Sequence, residues 1–452
     1  MSRLNDIFSK VFTDTNKSYV NMTNNYHIKK IRDLVYHEIY ELNDMDINFV
    51  NNPENTSLIE NMLTKHYILF MAPHIKEIRN KIAYMDSIPL IEQRTPEWFE
   101  QRNNLLSASS IYKALGSESA KKEIVFEKIG IAKEFLQSAA TIHGTVFEIV
   151  SQTLYESRNN ISIKEYGCIP HKTHNFIGAS PDGLVYNVNH IDMHNIDLDD
   201  ENMVVDKRVR MEDIALFGRL LEIKNPKSRT ISTNIPSHYE KQVITQEEVC
   251  DIPICDFLEM TYNKYENIDE FLEDIIHFNN IDDLTVKEQD NYIKNHNMPL
   301  CNISSSGVEK VILIEIVKPG GKYEGIMYDI NKPYVKEEIE SWISDLQSMV
   351  NDGIYVNIIP HFVNIKDYDI KTHIFKESDW TPIFNAARSI WSRILEERLL
   401  SDEDIKSKYQ ELMYSNEVNT ANNSKKRKSS SKYELRNLMK KSKFEKVIYK
   451  FN

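Results

Sequence analysis

The segment that most restricts the fold of this chain is Leu220-Leu221-Glu222-Ile223-Lys224, a short apolar run carrying two charges and stopped by Pro226. Its length and its bounding proline read as a buried β-strand. Side chains alternate along a strand, so Glu222 and Lys224 share one face while Ile223 points into the core. Upstream, Phe176-Ile177-Gly178-Ala179-Ser180 reads as another short strand, ending in the turn Pro181-Asp182-Gly183. Two hairpin-related strands can set Asp182 beside Glu222, although forty positions separate them.

Clustered carboxylates of this kind are what hard divalent cations require, with backbone carbonyls and water completing the shell. Phosphodiester hydrolysis explains why a lysine belongs with them. One metal ion acidifies and orients a water, and a second stabilises the leaving oxygen. A lysine on the same face can hold or deprotonate that water, or neutralise charge on the phosphorane. The pattern Asp-(x)n-Glu-x-Lys is weak alone; the flanking apolar strand and the preceding Ser180-Pro181-Asp182-Gly183 strengthen it.

Around this core the chain reads as α/β, a mixed sheet flanked by helices. Residues 1–87 read as a helical region, with apolar steps at Ile31-Leu34-Val35-Ile39 and Ile59-Met62-Leu63, punctuated by Pro53 and Pro73. Residues 88–400 read as one domain with two polar insertions. The stretch at about 187–215 reads as an acidic loop or hairpin, and that at about 263–308 as helical. Within the domain, residues 311–317 and 323–328 read as paired strands joined by Pro319-Gly320-Gly321, followed by helices at about 334–350 and 380–400. Residues 415–452 read as a basic, largely disordered tail.

Further motifs occur in order: Thr95-Pro96-Glu97-Trp98-Phe99-Glu100-Gln101-Arg102, Ser107-Ala108-Ser109, His143-Gly144-Thr145-Val146-Phe147-Glu148, Tyr239-Glu240-Lys241-Gln242-Val243, and Ala386-Ile390-Trp391. Together with Asp182, Glu222 and Lys224 they resemble the phage lambda exonuclease, or YqaJ-like viral recombinase, family within the PD-(D/E)xK nuclease superfamily. The resemblance covers residues 90–265 well and 310–400 loosely. It implies a restriction-endonuclease-like core and a Mg²⁺- or Mn²⁺-dependent deoxyribonuclease holding two ions. By that resemblance the metal ligands are Asp182, Glu222, the carbonyl of Ile223 and Glu148, directly or through water. Lys224 positions or activates the nucleophile, and Gln242 hydrogen-bonds beside it. Arg102 and Ser109 match a pocket for a 5′ phosphate, to which an arginine offers a bidentate grip. The implied reaction is exonucleolytic, 5′ to 3′ on duplex DNA ends. Family members form ring-shaped trimers, and a single-strand annealing protein is an expected partner. The long spacing from Asp182 to Glu222, the N-terminal helices and the 263–308 insertion depart from the phage enzyme and put the ring in doubt.

Plainer readings stand beside these. Glu148 can be a solvated helix residue, Arg102 a surface ion-pair partner, Ser109 a helix N-cap, Gln242 an ordinary polar residue, and Trp98 a core anchor. His190-x-Asp192-x-His194 has metal-ligand spacing on a strand, but its acidic surroundings favour a solvated loop. His171 and His174 read as surface residues. Cys250 and Cys255 lack a partner pair, which argues against zinc and iron–sulfur ligation and for core packing.

Composition enters as a boundary. Net charge is −13, but residues 425–450 hold eleven Lys/Arg and two Glu, about +9, leaving about −22 elsewhere. Such a tail suits nuclear localisation or a non-specific DNA tether. An acidic body still binds DNA if its acids gather around cations and its bases line one groove. No apolar run approaches the roughly 18 residues of a membrane span. Four cysteines without a disulfide-like framework fit a reducing compartment. The Asn-, Ile-, Lys- and Asp-rich usage is typical of AT-rich genomes, large DNA viruses among them. Host cytoplasm (a viral factory), nucleus or the virion are the expected locations. Two rivals remain at this point, an endonuclease or flap nuclease with the same site, and an inactive DNA-binding or virion-packaged protein.

Overall fold

A computed structural model describes residues 2–13, 23–41, 52–91, 95–129, 138–276 and 298–408. The basic tail and residues 277–297 of the second insertion lie outside the described residues. The chain divides into two compact units, Met1–Tyr112 with Leu136–Ile383, and Lys113–Phe135 with Phe384–Asn452.

The first unit is a mixed α/β fold around a seven-stranded sheet. Ten strands are described: β1 (Leu106–Ser107), β2 (Ile161–Lys164), β3 (Ile169–Pro170), β4 (Ile177–Ala179), β5 (Gly183–Val188), β6 (Leu220–Lys224), β7 (Ile254–Lys264), β8 (Lys310–Lys318), β9 (Lys322–Met327) and β10 (Asn357–Ile374). The large sheet runs β2-β5-β6-β7-β10-β8-β9, and β1-β4-β3 form a small second sheet. β6 and β7 are parallel, with the helix Ser237–Cys250 between them in sequence, whereas β5 and β6 are antiparallel. The predicted pair β8/β9 is present, and Gly320 and Gly321 in its turn have φ of +80° and +72°, a region that glycine adopts at no steric cost.

A second helix, Ala139–Asn159, closes one face of the sheet. Its Val146, Phe147, Val150 and Leu154 pack with Met260, Leu313, Val363 and Ile365 in one buried cluster. That helix ends at Asn160 with φ +55°, an αL cap that a short polar residue tolerates.

Helices occupy Ser2–Thr13, Asn25–Glu41 and Pro53–Asp86, so the described part of the N-terminal region is helical. Pro53 opens the third of these, with Asn52 as N-cap, as its position after a polar residue suggests. Pro73 does not punctuate it: the helix runs through unbroken. An interior proline costs about 3 kcal/mol, and here the turns on either side are buried through Met71, Ala72, Ile75 and Ile78.

The first insertion is a loop of turns rather than a hairpin, and it is packed: Met193, Leu198, Met203, Val205, Val209 and Met211 are all buried. It docks on the long helix: Arg79 donates to the carbonyls of Met193 and Ile196 at 2.7 and 2.8 Å, and Asn61 to that of Val205 at 2.8 Å.

The second unit contains the helix Glu118–Lys128 and the end of the helix Glu377–Glu397. Lys128 is buried there, and its carbonyl accepts from Arg398 at 2.9 Å.

Candidate active site

The β5/β6 ladder is short, pairing Gly183 with Leu221 and Leu184 with Leu220. Beyond it the Ile223 N–H donates to Asp182 Oδ2 at 2.6 Å. The turn residue thus takes the place of a strand partner, and this bond sets Asp182 against Glu222. Glu222 is fully buried. Its Oε1 accepts from Gln242 Nε2 at 2.7 Å and from the Lys224 ammonium, and its Oε2 accepts from Gln246 Nε2 at 2.6 Å. Lys224 is 21% exposed and also lies over the Tyr239 ring, 5.1 Å from its centroid.

Glu148 joins from the helix Ala139–Asn159, and its charge acts on Asp182. Burial pushes the Glu148 carboxyl up to about 7; Lys224 opposes this, while Glu165 and Glu222 add to it. Asp182 is raised well above the usual carboxylate range, by burial first and then by Glu222. Burial alone would lower the Lys224 ammonium, but Glu222 and Asp182 outweigh it and raise it. Three acids and one base therefore share a poorly hydrated corner, in which each carboxylate penalises the next.

Such a set suits a divalent cation by donor type: the ligating atoms are oxygens, and Asp182 Oδ1 makes no hydrogen bond among the described residues. Among the described residues no group of three or more His, Cys, Asp or Glu side chains stands in an arrangement that could hold a metal ion. Lys224 and the two glutamines occupy the Glu222 oxygens instead. Ile223, the source of the expected carbonyl donor, lies between Glu222 and Lys224 and pairs with Leu258 of β7.

Gln246 is a residue that the sequence reading missed. It is fully buried, and it also approaches the Ser180 carbonyl at 3.3 Å. Its signal was available: Gln242 and Gln246 stand four apart on one helix, so they present amides on one face.

Arg102 and Ser109 flank β1, which pairs in parallel with β4, the strand leading into Ser180-Pro181-Asp182. The Arg102 guanidinium lies 4.8 Å from the Trp98 ring centroid, on the helix Pro96–Asn103, which buries none of its residues. Trp98 is accordingly half-buried rather than a core anchor. Ser109 is exposed, with Oγ 3.3 Å from Ser107 Oγ, and Ser107 rather than Ser109 occupies the N-cap position. His190, Asp192 and His194 do not converge: His194 packs on Tyr186, and Asp192 accepts from the His194 and Asn195 backbones. Cys250 and Cys255 are buried, and the four cysteines are free.

Comparison with known proteins agrees with the motif order. Residues 97–252 match the YqaJ-like viral recombinase domain. The YqaJ-like stretch opens on the Trp98–Arg102 helix and contains Ser109, Glu148, Asp182, Glu222, Lys224, Gln242 and Gln246. An uncharacterized protein of Acanthamoeba polyphaga mimivirus is 30% identical over 216 residues, 46% of this chain and 36% of its own length. A protein of African swine fever virus is 29% identical over 159 residues, 34% of this chain and 44% of its own. The chain thus aligns with less than half the length of these relatives, both from large DNA viruses. Crystal structures of an alkaline exonuclease from Laribacter hongkongensis, one of them in complex with dAMP, align at 17% identity and a TM-score of 0.34, covering 70% of this chain and 100% of theirs.

Proposed function

We propose that this chain is a metal-dependent deoxyribonuclease that cuts duplex DNA from its ends, 5′ to 3′, in viral DNA recombination, repair or processing. The observation that carries the reading is the meeting of Asp182, Glu222, Glu148 and Lys224 on adjoining elements within the YqaJ-like stretch. A structural ion pair needs one acid for one base; the surplus of buried carboxylate is accounted for by a cation.

Asp182, Glu222 and Glu148 would hold Mg²⁺ or Mn²⁺, with the Ile223 carbonyl as a further donor. A cation there supplies acidified water and offsets charge on the phosphate. The chain's own groups do the positioning. Gln242 and Gln246 each fix one oxygen of Glu222 and so set the plane of its carboxylate. Lys224, kept cationic by its acidic neighbours, donates hydrogen bonds to a phosphate oxygen or to the attacking water. Tyr239 limits the directions open to that ammonium. Arg102 would grip a terminal 5′ phosphate with Ser109 nearby, which favours end-directed cleavage over internal cutting. A single-strand annealing protein as partner belongs to the same proposal.

The test is digestion of end-labelled linear duplexes, with and without a 5′ phosphate, alongside closed circular DNA, in Mg²⁺ and in chelator. Linear, 5′-phosphorylated ends should be shortened in Mg²⁺ alone. Asp182→Ala and Lys224→Ala should each abolish cleavage while DNA binding persists. Full activity in either variant removes the assignment, and equal cutting of circles replaces exonuclease with endonuclease.

A further inference from the structure

Beyond the carboxylates, the ends of β6 and β7 carry a group of charged side chains that the proposed chemistry leaves unused. Past Lys224 the chain leaves the sheet through Asn225-Pro226. Asn225 is buried, and its Oδ1 accepts from Ser151 Oγ at 2.6 Å and from the Tyr262 hydroxyl at 3.1 Å. Those bonds tie the segment to the Glu148 helix and to β7, and Lys227, two residues on, comes near enough for its charge to act on His143 and Lys264. The Tyr262 ring packs against Phe147 with centroids 4.6 Å apart and against His143 at 6.3 Å.

Lys264, the last residue of β7, reaches the same place. Its Nζ lies 5.7 Å from the Phe147 centroid and donates to His361 Nδ1 at 3.2 Å. His361 Nε2 in turn lies 3.0 Å from Glu315, so the acid is separated from the ammonium by a whole imidazole. The crowding is visible in proton affinities. His143 is pushed down to about 4, by burial first and then by Lys264, Lys227 and His361. Lys264 is held below the usual lysine range by burial and then by Lys227.

Lys227 and Lys264 are both exposed. Among the described residues, neither forms an ion pair with a carboxylate. The chain has 68 Asp and Glu against 55 Lys and Arg, so acidic partners are plentiful. Two like charges left side by side repel and contribute nothing to folding. An anion brought from outside removes that cost. The register gives the direction. β6 and β7 are parallel, with Lys224 opposite Glu259; Lys264, five residues further along β7, alternates onto the other face, with Tyr262 against the helix that carries Glu148. Five strand residues span about 16 Å along the sheet.

We propose that Lys227 and Lys264, set around the Phe147–Tyr262 pair, hold the phosphodiester backbone of the DNA strand leading away from the carboxylate site. The assignment rests on the nuclease reading and adds the path of the substrate. Lys227 takes the nearer phosphate and Lys264 a more distant one, on the face of the sheet that the Glu148 helix covers. Sequence plays no part in such contacts, which suits an enzyme that must degrade any end.

The experiment uses the full chain carrying Lys227→Gln and Lys264→Gln together. Both residues are exposed, and an unchanged thermal unfolding curve checks the fold. Duplex affinity is measured by fluorescence anisotropy in chelator across a salt series, and hydrolysis of bis(p-nitrophenyl) phosphate is measured with metal. This diester is too small to reach the lysines from the carboxylates. Two lost phosphate contacts should make the slope of log K against log salt shallower by about 1.8. Hydrolysis of the small diester should be unchanged. A slope and an affinity equal to wild type overturn the proposal. So does a fall in diester hydrolysis equal to the fall on DNA, which would place the lysines in the chemistry. Failure of the nuclease reading looks different: the wild-type chain then cleaves neither substrate, while the binding series still reports on the lysines.

Discussion

Gln246→Met keeps the length of the side chain and deletes its amide. In the native protein that amide donates to Glu222 Oε2 at 2.6 Å, and both residues are fully buried, so water cannot replace the donor. A hydrogen bond to a charged group contributes about 1.5–3 kcal/mol. Methionine and glutamine have similar helix propensities, so the backbone is indifferent to the change. One compensation must be subtracted: Gln246 Oε1 is buried without a hydrogen-bond partner, and its removal returns part of the loss. The net destabilisation expected is about 1–2 kcal/mol. A body larger than about 250 residues shifts by less than about 2 °C per kcal/mol, so the unfolding midpoint in chelator should drop by about 1–3 °C. The catalytic effect should be separable. With one oxygen released, Glu222 is held only through Oε1 by Gln242 and Lys224, so kcat should fall while KM for duplex stays near wild type. Calorimetry and single-turnover cleavage of an end-labelled duplex supply the two readouts. A variant within about 0.5 kcal/mol of wild type, the range of ordinary surface changes, that also cuts at the wild-type rate would refute the view that two glutamines orient this carboxylate.

Two further outcomes follow from the same cluster. Glu148 is raised from 4.5 to about 7 in the folded protein. A carboxyl raised on folding stabilises fully below its unfolded pKa, and that contribution is lost as pH climbs from about 4.5 to about 7. The melting temperature of Glu148→Gln minus that of wild type, in chelator, should therefore increase across this window; a flat difference contradicts the burial of an ionisable group there. Mg²⁺ should raise the wild-type midpoint, by about 1.4 kcal/mol of stability at ten times its Kd. Asp182→Asn with Glu222→Gln should lose that response, and an equal response in this variant would move the metal site elsewhere.

How much could be read in advance follows the range of the interactions. β6, the Asp182 turn and the β8/β9 pair are each specified by neighbours a few residues apart, through alternation, proline stops and glycine turns. β10 is not. Its 18 residues include Pro360, Lys366, Asp367, Asp369 and Lys371, and they read as neither helix nor strand. The strand forms because β8 and β7 flank it in turn. Residues 357–362 pair with β8 before pairing with β7 begins at Val363. Pro360 sits in this singly paired half, where a missing N–H is tolerated. The packing of the insertion after Val188 was hidden for a related reason: its methionines and valines are spaced irregularly, and their burial depends on a helix more than a hundred residues earlier in the chain. Glu222 and Lys224 were legible because strand alternation alone places them on one face. Gln246 needed the orientation of its helix against Glu222, which no local pattern supplies.

The proposed chemistry and the local fold are joined at a single register. In an uninterrupted antiparallel pair the Ile223 N–H would belong to the ladder, yet here the ladder stops at Leu221 and the N–H goes to Asp182. A slip of one residue between β5 and β6 would send Glu222 and Lys224 to the opposite face and withdraw that donor. Glycine at 183 helps to hold the register, because a Cβ there would lie 2.2 Å from Ile163 Cγ2 on β2. The close approach of β2 thus fixes β5, β5 fixes the turn, and the turn delivers Asp182 to a carboxylate that already carries three donors. Mutual repulsion makes this a costly corner of the sheet, and no packing benefit requires the acids to be there. The proposed cation would lower that cost and, because the register cannot slip, be held in place; it would account for both the position of the acids and their number.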